Sequence, residues 1–258
     1  MIQAKLKGLK EAITELTLHI ENGTQLDPFT LKGKVAFAEK LTDQAMKYML
    51  LGLSYGAAKQ NDKAIKFFRI GSEYGDDRVV VNFLTYLSHT GQHDLYRDES
   101  IRLVRFYQNN PRILLLARNA SYADGDAKLA LSFAHRLLTM LPDGPLKDAS
   151  QEDVEMRDAQ LAKFIDATDI DASRIKELTR MVANMTTKYG VIAISHDYYT
   201  SPDGSAAIVC DVICDDSDVI SDMDIDIATE LAMSEYFVDK NVTAWYRGNK
   251  REEVEHTV

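Results

Sequence analysis

Two cysteines, five prolines and one tryptophan are all that this chain of 258 residues carries of those types. Cys210 and Cys214 have no third or fourth partner to complete a zinc-type ligand set. On a strand they sit about 13 Å apart on one face, beyond disulfide reach, so free thiols in a reducing compartment are expected. No apolar run approaches the roughly 18 residues of a membrane span. The opening stretch MIQAKLKGLKEAITELTLHI lacks the apolar core and cleavage site of a signal peptide. A basic excess is also missing. The net charge of −10 repels phosphate backbones and anionic lipid, which argues against general nucleic-acid or membrane binding. Neither GxSxG nor GxxxxGK occurs, and His89, His93 and His135 have no metal-like spacing. No catalytic residue, metal ligand or cofactor is therefore assigned.

What is present is a real core, with 45% apolar residues, and strong helical periodicity. Leu6, Leu9, Ile13, Leu16 and Ile20 form one stripe, ended by Asn22-Gly23. Asp27-Pro28 starts a second helix running roughly to Lys40. From Ala45 to Gly75 two amphipathic patterns flank the polar break at Lys59–Asp62, which predicts an antiparallel pair. Similar breaks fall at Gly91 and Gly125, 34 residues apart.

That period, with Tyr48, Leu51-Gly52, Tyr55, Ala64, Phe68 and Gly71 in the first unit, resembles the tetratricopeptide repeat. The resemblance covers about residues 45–144. In the second unit Tyr96 stands where a small residue is expected and HDLYRD reads as a stretched turn. In the third, Arg118 takes a small-residue site. The resemblance implies close helix contacts at the small residues, with aromatics filling the gap to the neighbouring unit. It also implies a groove lined by first helices, here Met49, Leu53, Asn82, Tyr86, Arg112 and Leu116. That lining is mixed and mostly apolar, suited to an extended or helical peptide. The N-terminal plan is similar to that of chaperones of bacterial secretion systems, which are acidic and cytosolic.

Past Pro142 the texture changes. LPDGPLKDASQED reads as a boundary, followed by a short capping helix from Gln151 to Asp166. A helix at 172–187, strands VIAISHDYY and AAIVCDVICDD around the turn SPDGS, a helix from Asp222 to Phe237 capped by Ser221, and strand NVTAWYRG follow. The order α-β-β-α-β predicts a three-stranded mixed sheet with two helices on one face, its second and third strands parallel. Asp211, Asp215, Asp216, Asp218, Asp222, Asp224 and Asp226 crowd one stretch. Among them Asp222, Asp224 and Asp226, following Gly204-Ser205, faintly resemble the nucleotidyltransferase superfamily, whose spaced carboxylates hold magnesium. Carboxylates at a helix start also act without metal, through the helix dipole.

The expectation is an α + α/β protein: a helical-hairpin array at 1–145, a linker and capping helix at 146–170, a small α/β domain at 171–250 and a loose tail at 251–258. The expected function is that of a cytoplasmic adaptor or chaperone binding a partner protein, with a homodimer through the free sheet edge as a further contact. The alternative is a metal-dependent nucleotidyl- or phosphoryl-transfer enzyme.

Overall fold

The computed structural model describes residues 2–250, with side chains from Lys7 onward. The tail at 251–258 lies outside the described residues. The chain is mostly helical and carries a small mixed three-stranded sheet near its C-terminus. It divides into two compact units, Met1–Glu99 and Ser100–Val258. The expected border near residue 145 thus differs from this division, because the helices between 111 and 168 belong with the sheet.

The first unit holds α1 (Ile2–Glu21), α2 (Pro28–Ala38), α3 (Gln44–Ala57), α4 (Asn61–Ser72), α5 (Asp77–His89) and the first part of α6 (His93–Val104). Short-range chemistry sets the helix starts. The Asp27 carboxylate accepts from the N–H groups of Phe29 and Thr30, and Pro28 has no N–H to leave unpaired. Asp43 and Asp76 cap α3 and α5 in the same way. Gly52 meets Phe68, Met49 meets Gly71 and Tyr55 stacks on Phe67. One index rises as the other falls, so α3 and α4 run antiparallel. A Cβ on Gly52 would stand 2.8 Å from the Phe68 ring, so only glycine permits this approach. Phe68 in turn stacks on Phe83 and meets Tyr86 of α5. The HDLYRD stretch is the start of α6, not a stretched turn. α1 packs on α3 and reaches α5.

The second unit holds α7 (Pro111–Ala123), α8 (Ala127–Met140), α9 (Pro145–Thr168), α10 (Ala172–Tyr189), β1 (Ile192–Thr200), β2 (Ala206–Ile213), α11 (Ser217–Met233) and β3 (Val242–Asn249). Two boundaries differ from expectation. α9 starts at Pro145, not Gln151, because a proline in the first turn needs no N–H partner. Ser150 lies inside it and donates back to the Leu146 carbonyl. α11 starts after Asp216, whose carboxylate accepts from Asp218 and Val219, so Ser221 is not its cap.

The strand order is β1-β2-β3, antiparallel then parallel, as the sequence order implied. Ile208, Cys210 and Val212 face the helices together with Tyr198, Ala244 and Tyr246. Three helices cover this face rather than two: Phe164 of α9, Leu178 and Val182 of α10, and Met223 and Ile227 of α11 are all buried against it. Arg118, out of place in a small-residue site, instead pairs with Asp153 of α9 at 3.0 Å. Gly125 has φ +74° and would set a Cβ 3.0 Å from Ile175, so the α7–α8 turn seats α10 directly. Among the described residues no helix is long and apolar enough to cross a membrane.

Candidate functional site

The six residues expected to line a groove do not come together as one open surface. Met49 and Leu53 are each only 2% exposed, on the helix that α1 packs against. Tyr86 is equally buried. Its ring abuts Gly56, and its hydroxyl donates to Asn61 Oδ1 at 2.9 Å. Burial pushes that phenol up to about 12. Asn82 turns its amide to the Arg78 carbonyl of its own helix. Arg112, exposed, and Leu116, partly buried, lie on α7 in the other unit.

A different surface of the first unit gathers aromatic chemistry. Tyr55, Phe67, Tyr48 and Tyr74 form a continuous row, with ring centroids 5.4, 6.2 and 5.8 Å apart and interplanar angles of 13°, 20° and 22°. These spacings lie within the range of attractive ring pairs. Lys63 Nζ lies 5.1 Å from the Tyr55 centroid and Lys47 Nζ 5.8 Å from that of Tyr48, close enough for cation–π attraction. Lys47 also pairs with Glu39, whose hydrogen bond raises the ammonium above its usual range. Tyr74 is 52% exposed, and the other three rings are partly so. Tyr48 and Tyr55 therefore do not fill the gap to the next hairpin, which Phe68, Phe83 and Tyr86 fill instead. Part of the signal was in the sequence: Tyr48 and Tyr55 are seven apart on α3, and two helical turns bring such residues back to one side, whereas Tyr74 lies in the turn after α4.

The second unit has its own aromatic surface, on the sheet face turned away from the helices. Tyr199 opposes Ala207 and Trp245 opposes Val209 there, their rings 6.0 Å apart. Beside them Asp211 accepts from Arg247 Nε and Nη2 at 2.5 and 2.9 Å, from Ser195 Oγ at 2.6 Å and from Asn249 Nδ2 at 3.3 Å. Burial alone would raise the Asp211 carboxyl, but these donors, Arg247 foremost, hold it below its usual range. The sheet edges are less open than its face. α9 and α7 pack along β1, and Asp224 of α11 accepts the Tyr246 backbone N–H of β3 at 2.7 Å.

The acidic cluster is largely engaged in holding the fold together. Asp216 caps α11 and Asp211 holds Arg247. Asp226 accepts from Lys188 and Tyr189 at 2.6 and 2.5 Å. Among the described residues no group of three or more His, Cys, Asp or Glu side chains is placed to hold a metal ion. Gly204 and Ser205 lie in the β1–β2 turn, where Ser201 and Ser205 hydrogen-bond Asp203 and hold its carboxyl down at about 2. His196 is opposite Cys210 on the helix-covered face and Asp197 is on the other, so the two form no dyad. Burial pushes the Cys210 thiol far above its usual range, which leaves it without thiolate reactivity. Comparison with protein-family models, with curated proteins and with solved structures finds no match.

Proposed function

We propose that the chain is a protein-interaction module, an adaptor or chaperone that holds a segment of a partner protein on its helical unit. The helical hairpins are read as tetratricopeptide-like, a reading supported by Gly52 under Phe68 and Gly71 against Tyr48 and Met49. The observation that carries the proposal is the aromatic row Tyr55–Phe67–Tyr48–Tyr74. It is partly exposed, pre-stacked and bordered by lysines. Stacked rings on two packed helices and the turn that follows them lose little freedom on binding, so contact made there is retained as affinity.

The recognition surface in this reading is the row, in place of the first-helix face that holds Met49 and Leu53. A homodimer remains a further part of the proposal, with the open sheet face better suited to it than an edge already engaged by Asp224. Nothing in the site favours the nucleotidyl-transfer alternative: of Asp222, Asp224 and Asp226, Asp224 already accepts the Tyr246 N–H and Asp226 accepts from Lys188 and Tyr189, and among the described residues no carboxylate group is placed to hold a metal ion.

A photo-crosslinking amino acid placed at position 74 of the full chain, in its native cells, tests the reading. A covalent adduct to a defined protein, absent when the crosslinker is moved to exposed Met156, is the expected result. Equal labelling at both positions, or none at 74, refutes it.

A further inference from the structure

We propose that Asn22 is a site of spontaneous covalent modification: its carboxamide closes onto the Gly23 backbone nitrogen, and water opens the ring to aspartate and isoaspartate. The site is independent of the binding reading above. Water is the only co-reactant.

In the first step the Gly23 nitrogen bonds to Asn22 Cγ and the Cγ–Nδ2 bond breaks. The Gly23 amide proton leaves with Nδ2 as ammonia, and a five-membered succinimide ring remains. In the second step water adds to one of the two ring carbonyls. Opening at Cγ gives aspartate with the original peptide bond restored. Opening at the backbone carbonyl gives isoaspartate, in which the chain runs through Cβ and Cγ. Nothing is oxidised or reduced.

Of the nine asparagines, only Asn22 precedes a glycine. Glycine has no Cβ to crowd the attacking nitrogen, and its backbone reaches angles closed to other residues. Asn110 precedes Pro111, which has no N–H. Asn61, Asn82, Asn119, Asn241 and Asn249 hold their side-chain amides in hydrogen bonds. Asn22 is exposed, and among the described residues no hydrogen bond holds its carboxamide. The turn is fixed by its neighbours instead: His19 Nδ1 and Thr24 Oγ1 lie 2.8 Å apart.

The nucleophile is also within reach. Gly23, with φ +61°, donates its N–H to the Ile20 carbonyl at 3.1 Å. Such a three-residue link closes the last turn of a helix, and helix ends open far more readily than the core. Loss of this one bond frees the nitrogen while the buried face of α1 stays in place. Asn22, His19 and Thr24 line an open groove of about 500 Å³, so water reaches the succinimide.

The product loosens α1. A carboxylate at position 22 stands at the C-terminal end of the helix, where the dipole is negative, and so opposes the last turn. Isoaspartate also lengthens the backbone by one atom. The added length falls between two fixed points: Ile20, which is 9% exposed, and Leu26, whose N–H donates to the Ala57 carbonyl of α3 at 2.8 Å. The end of α1 then shifts on α3 or gives up that bond.

The test ages the full chain in mildly alkaline buffer at body temperature beside Asn22→Gln, whose longer side chain closes only to a less favoured six-membered ring. Tryptic peptides are read by mass spectrometry, and isoaspartate is labelled with an isoaspartyl methyltransferase. The peptide 11–32 is expected to lose its amide while peptides with the other asparagines keep theirs, and Asn22→Gln should take up no label at this peptide. Freshly made Asn22→Asp should speed amide exchange in the last turn of α1 about two- to fivefold over Asn22→Gln, the effect of one unfavourable charge on the dipole. The aged chain should exceed that figure. An amide at position 22 that survives the whole course, or equal labelling of the peptide in both chains, overturns the site. A converted chain whose α1 exchanges at the unmodified rate overturns the loosening.

Discussion

The two units expose aromatic side chains in opposite styles. In the first unit, four rings stand in a row on α3, α4 and the turn after it; Lys47 and Lys63 beside them already pair with Glu39 and Gln60, while among the described residues the Tyr48, Tyr55 and Tyr74 hydroxyls make no hydrogen bond. In the second, Tyr199 and Trp245 sit on a sheet face whose neighbouring charges, Asp211 and Arg247, already satisfy each other. The helical surface therefore keeps unspent hydrogen-bonding capacity, while much of the polar part of the sheet face is used within the fold. A paired charge gains little from a partner and loses its hydration when covered. Exposed rings alone do not make a recognition surface; the state of the polar groups beside them decides what a ligand can gain.

The largest expected effects test whether the units are energetically separate. Phe68 and Phe164 are both fully buried, one in each unit, and truncating either to alanine should cost about 3–5 kcal/mol. The single tryptophan, Trp245, reports on the second unit by fluorescence. Phe164→Ala should lower the denaturant midpoint seen by Trp245. Phe68→Ala should lower the helical signal in circular dichroism and leave the Trp245 midpoint unchanged. A shift of both probes by either variant would join the units into one cooperative block.

Glycine substitutions come next. Gly125→Ala meets both a left-handed backbone and Ile175, and should cost about 1–3 kcal/mol, read by Trp245. Gly52→Ala pushes on the Phe68 ring and should cost a similar amount, about 1–3 kcal/mol, in the first unit only. A neutral result at Gly125 would mean that α10 can move off the α7–α8 turn.

Arg118→Leu should cost about 1–3 kcal/mol in urea unfolding, since it deprives Asp153 of one of its two arginine partners, the other being Arg157. Loss of the α9 contact should show as faster amide exchange in that helix. Unchanged exchange would make the ion pair incidental.

The smallest effects are in pH dependence, and their signs are opposite. Asp211 is held below its usual range, so its contribution is complete above about pH 4 and disappears as pH falls through its native value. Asp224 is raised, first by burial and only partly relieved by the Tyr246 N–H. Its ionisation opposes folding, so the stability it permits when protonated is lost as pH rises through its native value. Asp211→Asn should destabilise at pH 7 and do little near pH 3. Asp224→Asn should do little near pH 3 and stabilise slightly at pH 7. Stability curves from pH 3 to pH 8 check both, and the same slope change in the two variants would contradict the assignment.

Most of the elements were legible because their signals are local. Asp27-Pro28, Asp43 and Asp171 mark helix starts through hydrogen bonds that span two or three residues. The alternation Ile208, Cys210, Val212 gave the buried face of β2. The helix starts misplaced in sequence lie where two local signals compete. Ser150 and Ser221 look like caps, yet each bonds a carbonyl four residues back inside a longer helix. The candidate site was half legible. Seven-residue spacing sets Tyr48 and Tyr55 on one side of α3. Nothing along the chain announced that Phe67, and Tyr74 beyond the end of α4, would interleave with them.

By itself, then, the sequence determined most of the helices, the α-β-β-α-β order and the parallel pairing of β2 with β3, because caps, turns and periodicities act over a few residues. Tertiary structure alone decided what covers what. α1 lies on α3, which carries the buried Met49 and Leu53. α9 joins the sheet core through Phe164, and Asp224 serves a strand edge 22 residues away rather than a metal. Those outcomes depend on contacts between residues far apart in the chain, and burial is set by the sum of such contacts rather than by any one segment.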